Sequence, residues 1–236
     1  MTRFQEFLTN APSADLVALA LILLSWLIIG HVIEHPPKNY PSVGKLMEDY
    51  RREWMRVMVS RVPRLFDVSL ISSLRQGTTF FVSASMLAIG GSAALIGNNA
   101  TVQSLTSELP IDTDQIELTL KILLPVGFMA NALLKFIWAH RLFGYCAILM
   151  AAVPNDPMDA AAYPRAAQAA EINCTAAKSY NRGLRSVYFA LAGMGWLFGA
   201  YALILATIIT AGILLRREFW SQSRGVILCT LPTQKN

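Results

Sequence analysis

Thr78, Ser85 and Ser92 recur at seven-residue spacing, which lays three hydroxyls nearly in line along one face of an α-helix. Inside an apolar stretch such a line has two uses. It can wet one wall of a narrow pore, or each hydroxyl can bond its own backbone while small neighbours let another helix approach closely. Gly90 and Ala94, one turn apart on the same segment, make a small-xxx-small step of the second kind.

A second constellation is ionisable. Lys135 falls within an apolar run, one turn after Asn131. An ammonium at membrane depth is costly unless it is paired or snorkels to the headgroups. One expectation is therefore an ion pair of Lys135 with Glu34 or Asp67, forming a polar vestibule with His31, His140 and Arg141. The other is a lysine that anchors its span at the interface. His31 and His140 are the histidines that a bis-histidine haem would need, but span-end histidines are ordinarily interfacial, and no cofactor and no metal is expected. Cys146, Cys174 and Cys229 are widely scattered, without CxxC or Cys/His spacing, which excludes a disulfide framework or a zinc site. The chain contains no HExxH, GxSxG, P-loop or dinucleotide glycine fingerprint, so an enzyme is not expected.

These residues are carried by strongly apolar elements. The 236 residues are 54% hydrophobic and only 15% charged, with a mean hydropathy of +0.44. That balance makes lipid the main solvent. The expected fold is an all-α integral membrane protein forming a single membrane domain. Its transmembrane helices are expected at about residues 14–33, 77–97, 122–140 and 187–215, with cytoplasmic helical segments at about 43–65 and 159–186. In the first of these segments Met47, Tyr50, Trp54 and Met58 recur at helical spacing, while Glu48, Arg51, Arg52, Glu53 and Arg56 fall largely elsewhere. Such a helix can lie on the membrane surface, with Arg51, Arg52, Trp54 and Arg56 as its contacts, or pack on its own protein.

The formal charge is +5. The basic residues cluster beside apolar runs, which suits anionic lipid headgroups and excludes nucleic acid as a partner. Loop one carries Lys38, Lys45, Arg51, Arg52, Arg56, Arg61, Arg64 and Arg75, and loop three carries Arg141, Arg165, Lys178, Arg182 and Arg185. The positive-inside rule places both loops in the cytoplasm of a bacterial inner-membrane protein, with both termini outside. The tail residues Arg216, Arg217, Arg224 and Lys235 oppose that assignment of the C-terminus. Glu108, Asp112, Asp114 and Glu117 are expected at the outer loop, and Asn99-Ala100-Thr101 and Asn173-Cys174-Thr175 fit the short glycosylation pattern.

Taken together, certain motifs resemble the family called domain of unknown function 599, found in bacterial and plant membranes. In the first half these are Arg52-Glu53-Trp54-Met55, Arg64 with Asp67, and Gln76-Gly77-Thr78-Thr79-Phe80-Phe81 with Ser83 and Ser85. In the second half they are Lys135-Phe136-Ile137-Trp138 with Arg141, Tyr145 and Cys146, then Asn181-Arg182-Gly183-Leu184-Arg185 with Tyr188-Phe189-Ala190, and finally Arg217-Glu218-Phe219. Gly144 departs from the polar residue expected there. The resemblance implies a four-span membrane protein and no agreed activity.

Two functions of different class remain open. One is a homo-oligomeric channel or transporter-like pore lined by the second span, with Arg75 at its inner mouth and Asn98 and Asn99 at its outer one. The other is a structural or accessory protein that binds lipid or a larger membrane assembly without transport.

Overall fold

The computed structural model describes residues 13–98 and 115–229, with side chains from 118 onward in the second stretch. The acids expected at the outer loop, the Asn99-Ala100-Thr101 motif and Lys235 lie outside the residues whose side chains are described.

Among the described residues the chain is helical throughout: α1 (Ser13–Glu34), α2 (Val43–Met58), α3 (Leu65–Gly97), α4 (Gln115–Ala151), α5 (Ala162–Gly193), a 3-10 turn (Met194–Phe198), α6 (Ala200–Phe219) and α7 (Gln222–Leu228). Four segments are long and apolar enough to cross a membrane: α1, α3, α4 and the stretch opening with α6. The second span, expected from about residue 77, begins about three turns earlier, because Leu65–Gly97 is one continuous helix. α4 likewise extends well beyond the expected 122–140 and stays helical through Pro125.

The last span departs from expectation. In place of one helix over about 187–215, the chain breaks at Met194–Gly199 and reverses. Gly199 has φ +106°, a backbone region that side chains with a Cβ rarely adopt. The stretch 187–193 therefore closes α5, and α6 returns antiparallel to it.

Contacts along α5 fix its position. Its lower half lies against α2 and the end of α4, with Asn173 against Cys146 and Arg51. Ser179 Oγ then donates to the Lys135 carbonyl at 3.0 Å, and Asn131 Nδ2 donates to Ser186 Oγ at 2.6 Å. At the top, the Trp196 indole donates to Asp15 Oδ1 at 2.6 Å. α5 and the turn after it thus run the full height of α1, although their hydropathy falls short of a span.

Among the described residues the packing divides into two large apolar cores and a small third cluster around Leu118 and Ile122. One joins Met55, Met58, Ile71, Phe143, Cys146 and the alanines 162, 166, 169 and 170 beneath the bundle. The other joins Ile22, Ile29, Phe128, Phe189, Trp196, Leu203 and Leu214 between α1, α4, α5 and α6. Between them α4 and α5 approach closely at Gly183, where an added Cβ would lie 2.6 Å from the Phe136 ring.

Candidate functional site

The C-terminal end of α1 meets the middle of α5 through charge. Glu34 accepts two hydrogen bonds from Arg182, one of them at 2.8 Å from Nε, and a third from Arg185, while Lys178 Nζ lies 3.6 Å away. Arg182 and Arg185, three residues apart, share a helix face, and α1 ends where its last carboxylate can reach both. The Arg185 side chain is only 7% exposed and that of Glu34 11%, so each depends on the other for its charge balance.

Lys135 is not in this pair. The expected partners Glu34 and Asp67 are both taken by arginines, and among the described residues no ion pair joins Lys135. It lines a cleft of about 250 Å3 with Asn131, Glu34, Arg182 and Arg185. The polar cluster therefore exists in part, with arginines doing what the lysine was expected to do. Asp67 is instead fully buried at the foot of α3, where its Oδ1 accepts from the Trp54 indole at 2.7 Å and from Arg61. His31 stacks on His35, whereas His140 Nδ1 faces the Thr78 hydroxyl at 3.1 Å, so the two histidines meet different partners. Arg141 leans on Trp138 and donates to the Tyr145 hydroxyl at 2.9 Å.

The expected line of hydroxyls on α3 is spent on local bonds. Thr78 Oγ1 donates to the Arg75 carbonyl at 2.6 Å, Ser85 Oγ to Phe81 at 2.7 Å and Ser92 Oγ to Ala88 at 2.8 Å. Thr78 and Ser85 are buried, and Phe81 between them stacks on Phe136 of α4 with ring centres 5.1 Å apart. That face is a helix-helix seam within the chain. Gly90 and Ala94, in contrast, lie exposed on the upper half of α3.

α2 packs on its own protein. Met55 and Met58 are in the lower core, Arg51 donates to the buried Asn173 at 2.5 Å, and Arg52 Nε meets Glu171 at 2.7 Å. Arg56 pairs with Glu53 on the outer face, while Met47 and Tyr50 of the stripe stay exposed. Burial pulls the Arg51 guanidinium below its ordinary pKa. The hydrogen bond from Arg52 holds the Glu171 carboxyl below the usual carboxylate range. Asn173 has no exposure at all, so the Asn173-Cys174-Thr175 motif is no glycosylation site in the folded chain.

Above this seam the ends of α1, α2, α6 and α7 and the middle of α5 line a cavity of about 390 Å3. Lys45, Arg51, Lys178, Arg185 and Arg217 line it against Glu34, Glu48 and Glu218, five cations to three carboxylates. Glu218 was not expected here. Its Oε2 accepts from the Gly44 amide at 3.1 Å, while Tyr40 bonds the Phe219 carbonyl at 3.1 Å and Arg224 bonds that of Pro41 at 3.0 Å. The adjacent acid and base at Arg217-Glu218, just past an apolar run, were the visible signal; the returning α6 that brings them to α2 was not.

Apolar helices of spanning length, joined at one end by buried ion pairs, define an integral membrane helical bundle. The family model described as "Protein of unknown function, DUF599" matches residues 17–223, and the chain belongs to that family. No curated protein and no solved structure matches it.

Proposed function

We propose that this protein is an accessory protein of the bacterial inner membrane that engages anionic lipid headgroups through the basic end of its bundle, without catalysis or transport. The observation that carries the reading is the hairpin of α5 and α6. By reversing the chain at Gly199 it brings Arg216, Arg217 and Arg224 to the end that already holds Lys45, Arg52, Arg64 and Lys178. Clustered cations beside spans suit the cytoplasmic leaflet, where each one not already paired with a carboxylate contributes about 1 kcal/mol of attraction to anionic lipid. The spent hydroxyls of α3 argue against a water path along that helix.

The test is lipid composition around the protein in nanodiscs of mixed phosphatidylglycerol and phosphatidylcholine. Enrichment of phosphatidylglycerol that falls with salt, and falls again in Lys45→Gln/Arg56→Gln/Arg216→Gln, is the expected result. Equal lipid composition, together with labelling of Thr78→Cys and Ser85→Cys by a water-soluble maleimide, would replace this reading with the pore.

A homo-oligomer is supported by a separate feature. Only 6% of the most apolar window of α3 is buried within the chain, and a Cβ added at Gly90 or Gly91 would meet open space. Small residues on an open apolar face suit close contact with a second helix in lipid. A monomer by mass photometry in gentle detergent would remove this proposal.

A further inference from the structure

A different cavity, of about 480 Å3, opens at the foot of α3 between α2 and the end of α4. Its apolar wall is Met58, Val68, Ile71, Ala147 and Met150, and its polar wall is Arg64, Asp67, Ser72, Arg75 and Asn155. Two residues of that wall each carry a buried polar atom without a partner: Asp67 Oδ2, an acceptor, and Arg64 Nε, a donor. Asp67 has no exposed surface, and both hydrogen bonds that it accepts fall on Oδ1. Arg64 spends its other nitrogens on the carbonyls of Val59, Val153 and Pro154, which fastens the α2–α3 turn to the end of α4.

An orphan carboxylate oxygen and an orphan guanidinium N–H at one cavity ask for a molecule with both a donor and an acceptor. Charge narrows the choice. Arg61 already neutralises Asp67, so Arg64 and Arg75 leave positive charge uncompensated, and among the described residues no ion pair joins Arg75. The apolar wall narrows it further, since its Val68 is exposed. A single water fills about 30 Å3, far less than this space.

We propose that the cavity binds the head of a phospholipid whose phosphate meets Arg64 and Arg75 and whose head carries a hydrogen-bond donor for Asp67 Oδ2, with an acyl chain along Ile71 and Met150. Glycerol hydroxyls and a primary ammonium both supply that donor. A quaternary choline, which has no N–H or O–H, does not. This inference rests on the lipid-engaging reading and gives it a site and a head-group chemistry.

The experiment is native mass spectrometry of the full chain, delipidated in detergent and offered phosphatidylglycerol, phosphatidylethanolamine and phosphatidylcholine of identical chains. Retention of the first two at least threefold over the third is expected. Asp67→Asn should erase that preference, because Trp54 and Arg61 hold the amide oxygen and turn its NH2 toward the cavity. Ser72→Trp, an exposed position at the cavity wall, should block binding without touching the core, and stands in should Asp67→Asn not fold. Equal retention of all three lipids, or an unchanged preference in Ser72→Trp, would overturn the site, as would displacement of the bound species by soluble glycerol phosphate. Salt-sensitive phosphatidylglycerol enrichment in nanodiscs surviving such a result would leave the broader lipid reading standing. Its loss would remove both.

Discussion

Three cations, Lys178, Arg182 and Arg185, converge on Glu34. It closes α1, holds Arg182 and Arg185 of α5, and lines both clefts at that junction. Removing one member of a buried pair costs far more than removing an exposed one, because the survivor keeps its desolvation penalty. Glu34→Gln should therefore destabilise the protein by about 3 kcal/mol, while Lys178→Ala, at 3.6 Å and 40% exposed, should cost about 0.5 kcal/mol or less. Equal effects in denaturant titrations would mean that the Glu34 network is not buried as described. Gly183 tests the neighbouring seam. Gly183→Ala should lose about 1–3 kcal/mol through overpacking, and Phe136→Leu in the same chain should recover part of it, since the clash is with that ring. Additive losses would deny the close approach of α4 and α5.

At the scale of elements, the seam of α2 on α5 outside the spans has a titratable component. Glu171 is held below its ordinary value of 4.5 chiefly by the hydrogen bond from Arg52. A carboxylate depressed on folding contributes stability above its unfolded pKa and loses it as pH falls through the folded one. The Glu171 side chain is 61% exposed, so solvent screening keeps the contribution to about 0.5 kcal/mol. The stability difference between the native chain and Glu171→Gln should be present at pH 7 and be lost progressively as the pH falls below 4.5 and through the depressed pKa of the folded state. A difference that persisted in acid would assign the effect to packing. α2 also illustrates what an amphipathic pattern leaves open. Its stripe and arginine face suit a membrane surface or a protein surface equally, and the decision came from Asn173, Glu171 and Asp67, none of which lies on α2.

For the whole molecule the consequence is topology. Ends joined through Tyr40–Phe219 and Gly44–Glu218 lie opposite the end joined through Asp15–Trp196. The two ends of the described chain therefore fall on opposite faces of the bundle, not on the same face as four simple crossings require. A fluorescent protein fused at the C-terminus should mature in the cytoplasm, and a periplasmic phosphatase fused at the N-terminus behind a signal sequence should be active. Activity on the same side for both would contradict the α5–α6 hairpin. With this topology the basic tail no longer opposes the positive-inside assignment: it joins loops one and three at one face.

Composition and the length of the apolar runs specified the solvent and the main spans. Long apolar runs can only be satisfied in lipid, and their length alone marks α1, α3 and α4. The sequence also supplied the family motifs and the choice between a pore and a packing face for Thr78, Ser85 and Ser92, without deciding it. Tertiary structure decided the rest through α5. That helix is surrounded by α1, α2, α4 and α6, so it meets protein where a lipid-facing span meets hydrocarbon. Alanine, serine, asparagine and glycine serve such a position, and hydropathy, which reports affinity for lipid, is blind to a helix that needs none. The reversal at Gly199 was hidden for a related reason: one glycine in an apolar run carries no sign of its φ. The partners of Glu34 and Asp67 were equally out of reach, because many cations in the chain could serve each carboxylate, and only the packing of helices distant in sequence selects among them.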